Sequence, residues 1–238
     1  MSVAFGSIGI ATTPTAANDP ISVPYPSGIV KGDPLILAVV NGNPVDYTTP
    51  TGWTVQQHNG NVLSDTGGSV MTKVADGTES GSLSVSEVGT PADVNMGVML
   101  RYTNYQGTTP VGTSSIAVSS SSSTSSPAHT TLSPVPGSSA MVVRFFLWAE
   151  NTGSPGSSFT APGGGWTTRA NIITNITSGT LFNCGIVVQD KLAGTDDQTC
   201  TCSAAGAWIV VDIVITAGFP ARPLSVPYRT SIQRSAIF

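Results

Sequence analysis

The chain has 238 residues, 39% hydrophobic and only 9% charged, with a formal net charge of −4. That is enough apolar material for a sizeable core, and the pairing of low hydrophobicity with high net charge that keeps chains disordered is absent. With 26 glycines and 17 prolines among many serines and threonines, the composition excludes a helical architecture and favours short strands joined by turns.

Residues 1–13 alternate weakly through Val3, Phe5, Ile8 and Ile10 and read as an opening strand. They lack the basic and apolar regions of a secretory signal. The Pro/Gly-rich stretch 20–34 leads into residues 35–40, apolar on both faces, which predicts a central strand covered twice. Residues 49–54 form a turn ending on Trp53 and Thr54. Residues 70–75 and 83–88 are expected as a hairpin around Asp76-Gly77. Residues 94–102 alternate, with Val94, Met96, Val98, Leu100 and Tyr102 on one face. Residues 113–127 are serine-rich and read as a linker, at whose start Ile116 and Val118 can form a short strand.

The order then repeats. Residues 141–148 match 35–40. Trp166 follows a Gly/Pro-rich loop as Trp53 does. A second hairpin is expected from residues 184–190 and 198–203, and residues 208–216 match 94–102. The two hairpin segments begin alike, at Lys73-Val-Ala and Lys191-Leu-Ala. Two related halves without helices predict an all-β, jelly-roll-like antiparallel sandwich spanning 1–216. Its halves are 1–112 and 128–216, joined through 113–127, with extended terminal arms. Two small tandem sandwiches are the alternative, disfavoured because each would have a thin core. The longest apolar runs, 35–40 and 141–149, are too short to cross a bilayer.

Chemistry is sparse. Cys184, Cys200 and Cys202 read as buried free thiols, and no fourth ligand or spacing indicates zinc. His58 and His129 lie in polar contexts, and a hydrolase would need one of them within reach of a serine and an acid. The pairs Asp76/Glu79 and Asp196-Asp197 fit turns better than acid–base work. Gly163-Gly-Gly165 lacks the strand–helix setting of a phosphate cradle. Asn175-Ile-Thr177 matches a glycosylation sequon by chance. No catalytic, cofactor or metal site is expected. Trp53 and Trp166 are expected to plug the sandwich ends; a sugar-stacking role is the weaker reading. Arg144 and Asp212 are lone charges on apolar strands and are expected to pair, because an isolated buried charge is costly. Trp208, Val210 and Val214 form an apolar face that would be an assembly surface if left uncovered. With little charge to keep copies apart, a homo-oligomer, a trimer above all, is expected. Residues 217–238 form an arm with Arg222, Arg229 and Arg234 and no acid, which leaves a body of charge −7. These arginines, with Tyr228 and Phe238, are the expected partner contacts, too few for strong nucleic-acid binding.

Four elements together carry a resemblance: Gly32-Asp33 before an apolar strand, Pro50-Thr-Gly-Trp-Thr54, Lys73-Val-Ala-Asp-Gly-Thr-Glu-Ser-Gly81, and a strand ending in Arg101-Tyr102. This set resembles tailed-bacteriophage virion proteins over residues 28–105, and more loosely over 134–216. The resemblance implies a β-sandwich that decorates and cements the capsid, or a minor tail protein. It implies binding to the major capsid protein or other virion proteins, a place in the virion, and no catalysis. A carbohydrate-binding or adhesin module for a bacterial surface is the alternative, not favoured. No nucleic acid or membrane partner is implied.

Overall fold

The computed structural model describes residues 2–14, 17–42, 44–62, 66–89, 94–105, 113–118, 126–127, 132, 139–150, 157–161, 163–174, 176, 183–193 and 199–216, with 60–62 and 113–118 described through their backbone only. All regular structure among them is strand, arranged as an antiparallel all-β sandwich.

The first half supplies β1 (Ala4–Ile10), β2 (Ile21–Pro24), β3 (Pro34–Asn41), β4 (Thr54–Val62), β5 (Thr66–Val74), β6 (Ser82–Val85) and β7 (Asn95–Thr103). Five of these make one sheet in the order β1-β7-β3-β5-β4. The second half supplies β8 (Thr113–Val118), β9 (Met141–Glu150), β10 (Phe159–Thr160), β11 (Thr167–Ile173), β12 (Cys184–Leu192), β13 (Thr201–Cys202) and β14 (Gly206–Ile215). Its five-stranded sheet runs β11-β12-β9-β14-β8. Read from the other edge, this is the first sheet again, strand for strand. The registers agree: Val142 lies opposite Lys191 and Val214 as Leu35 lies opposite Lys73 and Arg101. Even an irregularity recurs, at Gln56 in β4 and Arg169 in β11.

The two sheets pack face to face with β3 against β9, β7 against β12 and β5 against β14. Between them lies one core, to which the alternate residues Ile36, Ala38 and Val40 contribute from β3, and Val143, Phe145 and Leu147 from β9. Burying each large apolar side chain stabilises by about 1.5–3 kcal/mol. Neither half could bury its inner face alone, so the duplication yields one sandwich rather than two.

Each sheet is covered outside as well, which is why β3 and β9 are buried along their whole length. The pair β2–β6 covers the first sheet, approaching so closely that a Cβ on Gly97 would lie 2.7 Å from Val23. The pair β10–β13 covers the second, with Phe159 seated directly on Gly185.

Two expectations are corrected. The two hairpins do not form: β5 pairs with β3 and β4, whereas β6 leaves for the outer layer and pairs with β2. Likewise β12 stays in its sheet and β13 pairs with β10. The jelly-roll detail also fails, because each large sheet is drawn from one contiguous half. The short strand expected at the start of 113–127 forms: it is β8, which closes the second sheet along β14. An edge strand needs backbone pairing more than apolar side chains.

Candidate functional site

The two copies share a backbone plan but not a polarity. A row of residues crosses the outer face of the second sheet from β14 to β11, in the order Asp212, Arg144, Gln189, Thr168, with the backbone of Ser115 in β8 paired to Asp212. The same row in the first sheet is Met99, Leu37, Met71, Val55, with Gly9 paired to Met99. In the second copy, Arg144 donates from Nε and Nη2 to the two carboxylate oxygens of Asp212, at 2.8 and 2.9 Å. Both residues are buried. Gln189 Nε2 donates to Thr168 Oγ1 at 3.0 Å. Such a bidentate fork is the strong form of this contact. Trp166 stacks on it, with the guanidinium carbon 4.5 Å from its ring centroid.

Trp53 and Trp166 are both buried, but not at the ends of the sandwich. Trp53 packs in the outer-face cluster with Leu37 and Met71, and Trp166 beside Val142 and Val214 over Arg144. They cap the outer faces, because the turn before β4 and β11 folds back over its own sheet. A lysine lies against each turn: Lys191 Nζ donates to the Gly164 carbonyl at 3.1 Å, and the Lys73 stem lies under Gly52. This shared packing explains why the two motifs recur together in the sequence.

The turn after β5 is organised by its carboxylates. The Thr78 hydroxyl and amide donate to Asp76, which, with Lys73 nearby, holds the Asp76 carboxyl at about 2. Burial opposes ionisation of Glu79, but the Lys73 ammonium and the amides of Asp76 and Gly77 outweigh it and lower its pKa. A carboxyl lowered in the folded state contributes stability above its unfolded pKa and loses it as pH falls through the folded value. For Asp76 that window runs from about 4 down to about 2. NMR of the Gly77 and Thr78 amides should show a titration centred near 2 that Asp76→Asn removes.

At the other end of the outer faces the polarity is reversed. The second copy has Trp148, Trp208 and Phe159 in edge-to-face and tilted contact, with ring centroids 5.6–6.3 Å apart. At the positions of Trp148 and Trp208 the first copy has Asn41 and Asn95. Tyr47 Oη donates to Asn95 Oδ1 at 2.5 Å, and Asn41 Nδ2 donates to Glu87 Oε1 at 2.8 Å. Burial raises the Tyr47 phenol well above its ordinary pKa, so it stays a donor.

Beside this polar cluster is a recess of about 250 Å³ lined by Asp46, Tyr47, Thr49, Val55, His58, Ser69 and Val88. His58 Nδ1 lies 3.1 Å from Asp46 Oδ1, and His58 and Ser69 are cross-strand partners. A histidine, an acid and a serine therefore share one recess, a grouping the sequence analysis did not assemble. Among the described contacts His58 is joined to Asp46, and Ser69 faces it only as a strand partner. His58 has a structural counterpart in Asn171, whose Nδ2 lies 3.5 Å from the Phe159 carbonyl. Each ties a loop to its sheet. The only signal for the recess was a comparison of the copies position by position.

A further contact joins the halves. Arg169 Nε and the Tyr102 hydroxyl both donate to Asp190 Oδ2, at 2.8 and 3.0 Å. The same guanidinium lies 4.2 Å from the Phe5 ring centroid across the sandwich. In the first copy the equivalent contact is neutral, Gln56 to Thr72 at 2.8 Å.

The remaining expectations divide. The apolar face of β14 is not an assembly surface: Trp208, Val210 and Val214 are 0, 2 and 4% exposed, because the chain's own Phe159, Cys200, Cys202 and Trp166 cover it. The three cysteines are buried and free, and burial pushes the Cys200 thiol up to about 12. Among the described residues no cluster could hold a metal ion, and no helix is long and apolar enough to cross a membrane. Arg222, Tyr228, Arg229, Arg234, Phe238, His129, Asn175 and Asp196-Asp197 lie outside the described residues. No family model, curated protein or solved structure matches the chain.

Proposed function

We propose that the chain is a structural virion protein of a tailed bacteriophage, a decoration protein that binds the outer capsid surface through its basic arm. The observation that carries this reading is the partition of charge. Of the six basic residues of the body, Lys73, Arg101, Arg144 and Arg169 are each held by a carboxylate, Lys191 reaches a carbonyl, and Lys31 is exposed. The body keeps little cationic surface for a partner, whereas residues 222–238 hold three arginines and no acid. A sandwich covered on every large sheet face suits a passive clamp. Self-association as a trimer now rests on the low charge alone, since the apolar face of β14 is covered within the chain.

The test is attachment to undecorated heads. The full chain should saturate them and raise their resistance to heat. A chain ending at residue 221 should keep its fold and bind at least about tenfold more weakly. Full binding by the shortened chain would overturn the anchor, and binding to isolated tails instead of heads would move the protein to the tail.

A further inference from the structure

We infer that the recess beside β4 and β5 binds one pyranose unit, the terminal sugar of a glycan. Its volume of about 250 Å³ falls below that of pockets for drug-sized ligands, which limits an occupant to a single small ring. The lining alternates in the manner such a ring requires. Asp46 and His58 offer a carboxylate and an imidazole with side chains 44 and 59% exposed, already oriented by their mutual contact. Thr49 and Ser69 offer hydroxyls that donate or accept. Val55 and Val88 offer apolar surface, and Val88 is 55% exposed at the rim. A pyranose presents hydroxyls around its edge and C–H groups on its face. An anion would be opposed by Asp46, and a cation would compete with His58, so a neutral ligand fits best.

The copy comparison adds an independent argument. Position 69 corresponds to Val187, which is packed in the aromatic cluster of the second copy. The backbone plan therefore accepts valine at this place and does not require a hydroxyl. In the first copy the serine is 2% exposed and lines the recess. The neighbouring Phe146, Trp148 and Trp208 are likewise replaced by Val39, Asn41 and Asn95. These smaller, more polar side chains hold Tyr47 and Glu87 beside the recess, and Tyr47 is one of its lining residues.

The test is an NMR titration of the isotope-labelled full chain with the methyl glycosides of glucose, galactose, mannose, N-acetylglucosamine and rhamnose. At least one should shift the amides of Asp46, Thr49, His58 and Ser69 saturably, with a Kd of about 1 mM, as expected for a small ligand with few anchors. Asp46→Asn and Ser69→Val should each weaken that binding by about tenfold or more. Ser69→Val keeps the fold testable because the second copy carries valine there, and its binding to heads should stay unchanged whichever way the sugar titration falls. Absence of a saturable shift with all five glycosides, or binding indifferent to both substitutions, would overturn the inference.

Discussion

Replacing Arg144 by leucine should cost about 3–5 kcal/mol of folding stability, while Arg144→Leu combined with Asp212→Met should restore most or all of it. The single change leaves the Asp212 carboxylate buried without its bidentate partner. Breaking one side of such a pair is far more costly than replacing both by apolar groups, which is often neutral or stabilising. The double change has a precedent in this chain, because Leu37 and Met99 occupy the matching positions of the first copy. Urea unfolding of the three proteins reads the effect directly, and a double variant as unstable as the single one would refute the equivalence. Proteins of this size have only about 5–15 kcal/mol to lose, so the single variant should be visibly impaired at ambient temperature.

Trp208→Ala should destabilise the isolated chain by about 3–5 kcal/mol, the cost of emptying a large buried aromatic site. Trp208 is fully buried against Phe146, Trp148 and Phe159, with ring centroids 5.7–6.4 Å away. The result separates a core role from a docking role. If the residue faced a partner, the substitution would leave the free chain's unfolding curve unchanged and weaken only attachment. Trp208→Asn should be no better, although Asn95 stands at the matching place, because Tyr47 and Asn18 satisfy Asn95 and Phe159 cannot do the same.

The duplication was legible because its markers are packing residues. Lys73 and Lys191 lie against turns that end on Trp53 and Trp166, so the motifs recur as a set. The central strands were legible because residues covered on both faces are apolar without alternation. Arg144 and Asp212 were legible as a pair because each is the one charge within the apolar runs 141–148 and 208–216. Strand partnership was not legible. The segment after Lys73 reads as a hairpin, yet its turn is held by Lys73, Asp76, Thr78 and Glu79 among themselves, and none of these contacts requires β5 and β6 to pair. The edge strand β8 was legible only through Ile116 and Val118 among serines, and its partner was not, since its place depends on backbone pairing with β14. The recess was not legible because Asp46, His58 and Ser69 come together only when the loop after β3 folds over β4 and β5.

The reciprocal stacking of the sheets, β7 on β12 and β5 on β14 about a central β3–β9 contact, is the geometry of an isologous dimer joined into one chain. A true homodimer would carry every substitution twice, so Arg144 and Asp212 would appear on both outer faces and the Trp208 cluster at both ends. Covalent fusion removes that constraint. It also makes folding independent of concentration, which for a dimer it is not. Each half is then free to specialise: one outer face buries Trp148, Trp208 and Phe159 where the other buries Asn41, Asn95 and Tyr47, and a change in one leaves the other's cover intact.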